Sequence, residues 1–505
     1  MKKTLLFLLV CVLCNALMGQ SRLVMNPMNG YGNMVRYDSF SGFHISCSQP
    51  GGSGDVHFAL TDLNMHIDVF VVSGLTVKDF EIIDRLVFFC GEKVGGGAGF
   101  LGWFNIDSLF YSGGNAHVDL TLSSLGLISL DNIELYHDQD GSIHVAGYGK
   151  TPNPYTPPAP GVSVCPNIYL AFEAVGSSPA GMQYRVLELD RSGCSSEIVD
   201  MTVTDNYVVY LEWSRSEQCF YNYGIGIMLQ PFPKYNMFAS TPNPYFYFET
   251  TDDHIGYALT SWFVLPYQAD PYSVPPRITH TVGNEVAVCS YRRDFDFSTW
   301  DGDSNSLCGG KMYYVNTPTC LAIRTYNLSP LLTNNPVPMT NASIAPMTPG
   351  DVKSIDGFRY DEQKAHFVVL HRHMNLSGLY EHAVTTIDYS SGILPASVSS
   401  YYQMAFNTIN QWLPCSLCLT TENEYTVGGY IDASSNEEYI YWHDYIVGAA
   451  TSVCEALIVY PMSPIPTMVA KDELNYHSPT LWTPLVFSDI TKKERGESFC
   501  IIKCE

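Results

Sequence analysis

The stretch Lys78–Phe104 reads Lys-Asp-Phe-Glu-Ile-Ile-Asp-Arg-Leu-Val-Phe-Phe-Cys-Gly-Glu-Lys-Val-Gly-Gly-Gly-Ala-Gly-Phe-Leu-Gly-Trp-Phe. It holds three β-rich runs, Phe80 to Ile83, Leu86 to Cys90 and Phe100 to Ile106. The pair Asp84-Arg85 breaks the first two, and a glycine-rich loop separates the second from the third. Residues of this kind between apolar runs predict a three-stranded antiparallel meander.

Weaker copies of the unit recur along the chain. One spans Asp131 to Tyr148, turning at Asp138-Gln139-Asp140-Gly141, and another Asp200 to Trp213, turning at Asp205-Asn206. Three more run from Arg277 to Tyr291, Ile355 to His371 and Cys415 to Tyr430, with turns at Gly283-Asn284, Asp361-Glu362-Gln363 and Glu422-Asn423. Asp, Asn and Gly suit these places because they tolerate positive φ or cap a turn with their own side chain. From Asp84 through Asp140, Asp205, Asn284, Glu362 and Glu422 the spacings are 56, 65, 79, 78 and 60 residues.

A three-stranded unit cannot bury both faces alone. Stacking such units radially does so and leaves only short edges, so the expected fold is an all-β propeller, seven-bladed, with long inserts. A regular blade takes about 40–50 residues, which places inserts near 151–166, 241–276, 292–319, 329–350 and 461–490. Three further runs, Phe43 to Ser48, Val56 to Leu60 and Ile67 to Val72, start the chain, and the tail Phe499–Cys504 ends it in one short strand. The seventh blade is expected to be split, with the C-terminal strand closing the ring on the first. An open array of sandwiches is the competing use of the same units.

Met1-Lys2-Lys3, the apolar run Thr4 to Leu13 and the small Gly19 have the form of a cleaved signal peptide over 1–19, leaving 20–505 as a single domain. Cys11 and Cys14 follow Val10 and Leu13, which a lipobox would not use. No other run reaches the ~18 apolar residues of a membrane span. The expected location is therefore outside the cytoplasm: periplasm, cell surface or medium. The formal charge is −24, and −26 once Lys2 and Lys3 are gone. A surface this acidic repels nucleic acid and anionic lipid, leaving a protein or a glycan as the expected partner. Oxidising surroundings favour disulfides, and Cys308 with Cys320, bracketing one loop, is the expected pair. Cys47, Cys90 and Cys289 lie inside apolar runs and read as small core residues.

Several stretches invite a functional reading. Tyr245, Phe246, Tyr247, Trp262, Phe263, Tyr267 and Tyr272 crowd one insert and offer a contact surface of large area and low entropic cost. Asp301, Asp303 and Asn305 alternate as in a calcium loop, but Ser306 and Met312 stand where an EF-hand needs Gly and Glu. No cofactor is expected beyond such a Ca2+. His371 and His373 share one face of a strand, with His366 nearby and Glu381-His382 across the expected hairpin, and a polar blade rim is the ordinary use of them. Cys415 and Cys418 have redox-motif spacing, yet in a strand they point to opposite faces. Gly97-Ala98-Gly99-Phe100-Leu101-Gly102 matches a dinucleotide fingerprint, but strand residues follow it where a helix is required.

The polar turn, the β-branched or aromatic run and the segment Gly99-Phe100-Leu101-Gly102-Trp103-Phe104 together resemble the blades of uncharacterised secreted β-propeller proteins of bacteria. These are loosely similar to kelch and WD-type propellers. The WD dipeptide is missing from the blades, and the kelch double glycine is approached only at Gly428-Gly429. The resemblance implies the fold and no catalytic residues. Two functions fit: a non-enzymatic exported scaffold that binds a protein or glycan through loops on one face, or a carbohydrate-active hydrolase with carboxylates around the central channel. Convergent Asp, Glu, His or Arg on the channel strands would favour chemistry there.

Overall fold

The computed structural model describes residues 30–38, 43–50, 55–61, 67–111, 116–119, 121–154, 167–189, 196–214, 227–234, 275–292, 295–296, 313–314, 320–333, 350–375, 380–394, 400–403, 411–419, 424–432, 437–446, 454–461, 482–483 and 503–504. These are strands and their connections. Helix among them is limited to short 3-10 turns and a five-residue π turn at Asp107–Tyr111.

The first sheet is β1 (Gly30–Asp38), β2 (Phe43–Pro50), β3 (Asp55–Thr61) and β4 (Ile67–Ser73). The second is β5 (Leu75–Ile83), β6 (Leu86–Lys93), β7 (Gly99–Asn105) and β8 (His117–Asp119). The third is β9 (Ser129–His137), β10 (Ile143–Pro152), β11 (Asn167–Gly176) and β12 (Gln183–Glu188). The fourth has β13 (Ser196–Val203), β14 (Tyr207–Ser214) and β15 (Ile227–Pro233). In the fifth, β16 (Arg277–His280) and β17 (Glu285–Arg292) join β20 (Cys320–Asn327), after a small ribbon of β18 (Phe295–Asp296) and β19 (Tyr313–Tyr314). The sixth is β21 (Gly350–Asp361), β22 (His366–Asn375), β23 (Tyr380–Asp388) and β24 (Ser400–Gln403). The seventh is β25 (Gln411–Leu419), β26 (Glu424–Asp432), β27 (Glu437–Ile446) and β28 (Cys454–Pro461), and a last ribbon pairs β29 (Trp482–Thr483) with β30 (Lys503–Cys504). Neighbours pair antiparallel throughout, in chain order within each of the seven sheets.

The chain divides into two compact units. One comprises Leu75–Ile106 and Asn115–Gln403 and contains the second to sixth sheets. Their first strands β5, β9, β13, β16 and β21 lie in succession, each beside the next. Side chains alternate across each strand, so one sheet feeds two cores. On β14, Val208 and Tyr210 meet Tyr148 and Ala171 of the third sheet, while Tyr207, Val209 and Leu211 meet Ile278 and Val288 of the fifth. Phe88, Cys90 and Leu101 likewise pack on Leu130, Ile133 and Phe172, and Ala287 and Ile323 on Phe358 and Val369. Each side chain fully buried in this way contributes about 1.5–3 kcal/mol. Burial on both faces explains why these strands read as nearly unbroken apolar runs.

The other unit, Met1–Gly74, Asp107–Gly114 and Met404–Glu505, holds the first and seventh sheets, with β1 beside β25 and β26. Here the sequence reading needs correction. Among the described residues the N-terminal sheet takes its edge strand from Gly30–Asp38, which pairs with β2, and not from Lys503–Cys504. The tail strand pairs instead with Trp482–Thr483. Pairing with the adjacent segment closes a far shorter loop than reaching back from the C-terminus, so it costs less chain entropy.

The hairpin of Lys78–Phe104 forms as read. Asp84 and Arg85 both take left-handed φ, +48° and +63°, the two-residue turn whose twist matches the strands it joins. The glycine-rich loop is the β6–β7 turn, not a phosphate cradle, because β7 continues directly from it.

Candidate functional site

The first strands of the larger unit are sheet edges, so their outward amides lack a ladder partner. Most carry a bulge, where one extra residue breaks the register. It falls at Lys78 in β5, Asp131 in β9 and Val199 in β13, and at Lys353 and Asp356 in β21. In β5 and β13 the residue after the bulge, Asp79 or Asp200, turns its side chain to the neighbouring edge. Asp79 Oδ1 accepts from the amide of Phe80 at 2.9 Å and Oδ2 from the amide of Ile133, on the next sheet, at 3.1 Å. Asp200 repeats this with the amides of Met201 and Ile278, both at 3.0 Å. Thr202 Oγ1 accepts from the amide of His280 at 3.1 Å. Buried edge amides are thereby satisfied across sheet boundaries.

Cations complete the belt. Lys78 Nζ lies 2.8 Å from Asp131 Oδ1 and 3.6 Å from Glu92, and Lys150 approaches Asp131 Oδ2 at 3.5 Å. Arg277 donates from Nε to the Ile355 carbonyl at 3.1 Å and from Nη1 to that of Val199 at 3.4 Å, tying three successive first strands together. Burial raises the Asp200 carboxyl, against the pull of Arg277, the Ile278 amide and Arg359.

Glu81, Glu134, Thr202 and Arg359 occupy one equivalent position, the residue after buried Phe80, Ile133, Met201 and Phe358. Glu81, Glu134 and Arg359 remain partly exposed. Glu134 is the unusual member. Burial and then the neighbouring Glu81 carboxylate push its carboxyl up to about 8, with Arg359 opposing and Asp79 and Asp200 adding to the rise. At neutral pH its dominant form is the acid, a hydrogen-bond donor. It has no hydrogen-bonding partner among the described residues. The belt therefore offers a proton donor, a carboxylate and a guanidinium from three different strands.

Other expected residues fare differently. Tyr245, Phe246, Tyr247, Trp262, Phe263, Tyr267 and Tyr272 lie outside the described residues, as do Asp301, Asp303, Asn305 and Cys308. Cys320 opens β20 opposite Arg292. His373 faces Glu381 and Arg372 faces His382 in the β22–β23 register. His371 is not a rim residue: it is buried, with Nε2 3.1 Å from Thr385 Oγ1, because β22 is an inner strand covered on both sides. Among the described residues no group of three or more His, Cys, Asp or Glu is placed to hold a metal. Cys415 is the bulged residue of β25, and Cys47, Cys90 and Cys289 are buried in the core. A second buried polar group lies at the third sheet, where His144 Nδ1 is 3.0 Å from Glu173 and Nε2 3.5 Å from Asp138.

The belt itself escaped the sequence reading. The pattern is present as Lys78-Asp79-Phe80-Glu81, Asp131-Asn132-Ile133-Glu134 and Val199-Asp200-Met201-Thr202. Aligning the copies on their turns hid it, because the distance from bulge to turn differs between hairpins.

No protein-family model matches this chain, and neither does any curated protein. Solved structures do. The β-propeller domain of the Trilobed protease from Pyrococcus furiosus aligns at 8% identity over 85% of this chain and 98% of that one, with a TM-score of 0.40. The WD40 domain of SCAP from fission yeast aligns at 8% identity over 87% and 97%, TM-score 0.38. A polysaccharide lyase, the PL25 ulvan lyase, aligns at 9% identity over 75% and 88%, TM-score 0.40. At such identities the similarity concerns the fold alone.

Proposed function

We propose that the seven sheets are the blades of one propeller and that the protein is exported and binds a glycan at the polar belt of its first strands. The observation behind this is Glu134: a carboxyl that burial and the Glu81 carboxylate hold in its acid form, with no hydrogen-bonding partner among the described residues and within electrostatic reach of Glu81 and Arg359. Sugar hydroxyls both donate and accept, so a site holding a neutral acid, a carboxylate and a guanidinium can satisfy several at once. The run from Tyr245 to Tyr272 is rich in Tyr, Phe and Trp, the side chains on which sugar rings stack. Isothermal titration of the intact protein with a panel of neutral and anionic oligosaccharides tests this. One or more should bind, and Glu134→Ala, which removes both donor and acceptor, should weaken that binding about tenfold, the cost of roughly one good hydrogen bond. A panel with no binder, or full affinity in the variant, would overturn the reading.

A second reading is favoured by the same pair. A carboxyl protonated at neutral pH beside a second carboxylate is the arrangement that glycoside cleavage uses, with Glu134 as acid and Glu81 as base or nucleophile. Release of reducing ends from a bound glycan, lost in both Glu134→Gln and Glu81→Gln, would select hydrolysis over binding.

A further inference from the structure

Four large apolar residues are exposed among the described residues, and three share one end of the fifth and sixth sheets: Val282 at 63%, Leu332 at 58% and Ile393 at 73%. Each sits in a connection held rigidly by its neighbours. Val282 caps the β16–β17 turn, whose Gly283 carbonyl accepts from the amide of Asp205 and whose Asn284 carbonyl accepts from the amide of Leu328. Leu332 follows Leu331, which packs on the buried cluster of Tyr207, Val286 and Leu328. Ile393 precedes Leu394, which packs beside Tyr389 and Ala287. Tyr389 joins the two sheets, its hydroxyl donating to Glu285 Oε1 at 2.9 Å. The outward residues are therefore displayed by anchored turns and not by loose loops.

Their surroundings are acidic. Asp205, on the β13–β14 turn bonded to Gly283, Glu285 at the start of β17, Glu362 on the β21–β22 turn and Asp388 at the end of β23 stand at this end, against Lys234 and Lys364. The chain as a whole carries −24. Exposed apolar side chains in a polar, charged rim mark a contact site on a folded protein, and the sign of the rim selects the partner.

We infer that this end of the fifth and sixth sheets docks a basic amphipathic segment of a partner protein, its apolar residues meeting Val282, Leu332 and Ile393 and its Lys or Arg residues meeting the acidic turns. Fluorescence anisotropy with a labelled synthetic peptide of alternating Leu and Lys tests the inference, beside two controls in which Glu replaces Lys or Ser replaces Leu. The Leu/Lys peptide should bind, more weakly at 500 mM than at 50 mM salt by about tenfold or more. The triple variant Val282→Ser, Leu332→Ser, Ile393→Ser should lose that binding by about tenfold while keeping its melting temperature within a few degrees, as exposed substitutions do. Equal binding of the Glu peptide or of the Ser peptide, or unchanged binding by the triple variant, would overturn it. So would concentration-dependent dimerisation abolished by the triple variant, since the patch would then belong to a second copy of this chain.

Discussion

The carboxylate of Asp79 accepts a hydrogen bond from the backbone amide of Ile133, which lies on the following sheet, and Asp200 stands in the same relation to Ile278. Each carboxylate also binds the amide after it. One side chain thus satisfies two amides that the sheet ladders leave over. Asp79→Ala and Asp200→Ala should each cost about 2–4 kcal/mol, since two buried donors lose their acceptor. Asp79→Asn, which retains one acceptor oxygen, should cost less. Urea titrations measure this, and an alanine variant within 0.5 kcal/mol of wild type, well inside the ordinary scatter of surface substitutions, would show that these bonds do not hold the sheets together.

Gly102 lies in β7 directly beneath the Phe89 ring, and a Cβ at that position would run into the ring. Phe89 is fully buried and cannot swing aside, being flanked by Phe100 and Phe104 at ring-centroid distances of 5.8 and 6.1 Å. Gly102→Ala should therefore destabilise by about 1–3 kcal/mol, the usual cost of overpacking. A dinucleotide should not change the melting temperature of the wild type. A thermal shift with NAD or ATP would contradict the assignment of this loop to a hairpin.

What could be read from the sequence was what repeats locally. Strand pairs around Asp84-Arg85, Asp205-Asn206 and Gly283-Asn284 were legible because apolar runs and turn residues act over a few positions. The edge strand Gly30–Asp38 was not, since its pairing with Phe43–Pro50 depends on tertiary context more than on composition. Of the belt, Asp79 and Glu134 looked like ordinary polar residues within strands. Their partners, Ile133 and Glu81, are more than fifty residues away, and only the stacking of sheets brings them together.

Arg85 takes φ of +63° and Ala365 φ of +51°, both in hairpin turns. Side chains with a Cβ are strained in this region by about 1–2 kcal/mol, and glycine is not. Glycine gives back part of that gain through the larger entropy of the unfolded chain. Arg85→Gly and Ala365→Gly should each stabilise by about 0.5–1 kcal/mol. Differential scanning calorimetry would detect this as a rise of a few degrees or less. A fall in melting temperature at both positions would mean that the turns are not left-handed.

The Glu134 carboxyl makes stability depend on pH in the direction opposite to most carboxylates. Its ordinary value is 4.5, and in the folded protein burial and the Glu81 carboxylate push it up to about 8. Below 4.5 both folded and unfolded chains hold the proton, so the shift has no effect. Between 4.5 and 8 the folded protein keeps a proton that the unfolded chain has lost, and rising pH favours unfolding at up to about 1.4 kcal/mol per pH unit. Above 8 the penalty is complete and the slope from this group vanishes. Glu134→Gln removes the contribution, so the variant should gain on the wild type steadily from pH 5 to pH 8. Glu81→Gln, which removes the neighbouring negative charge, should bring the midpoint of the Glu134 titration down. Urea unfolding at each pH gives the slopes, and 13C chemical shifts of the Glu134 carboxyl give the midpoint. Parallel stability curves for wild type and Glu134→Gln, or a carboxyl that titrates near 4.5, would remove the proton donor from the belt and with it the chemical basis for sugar recognition there.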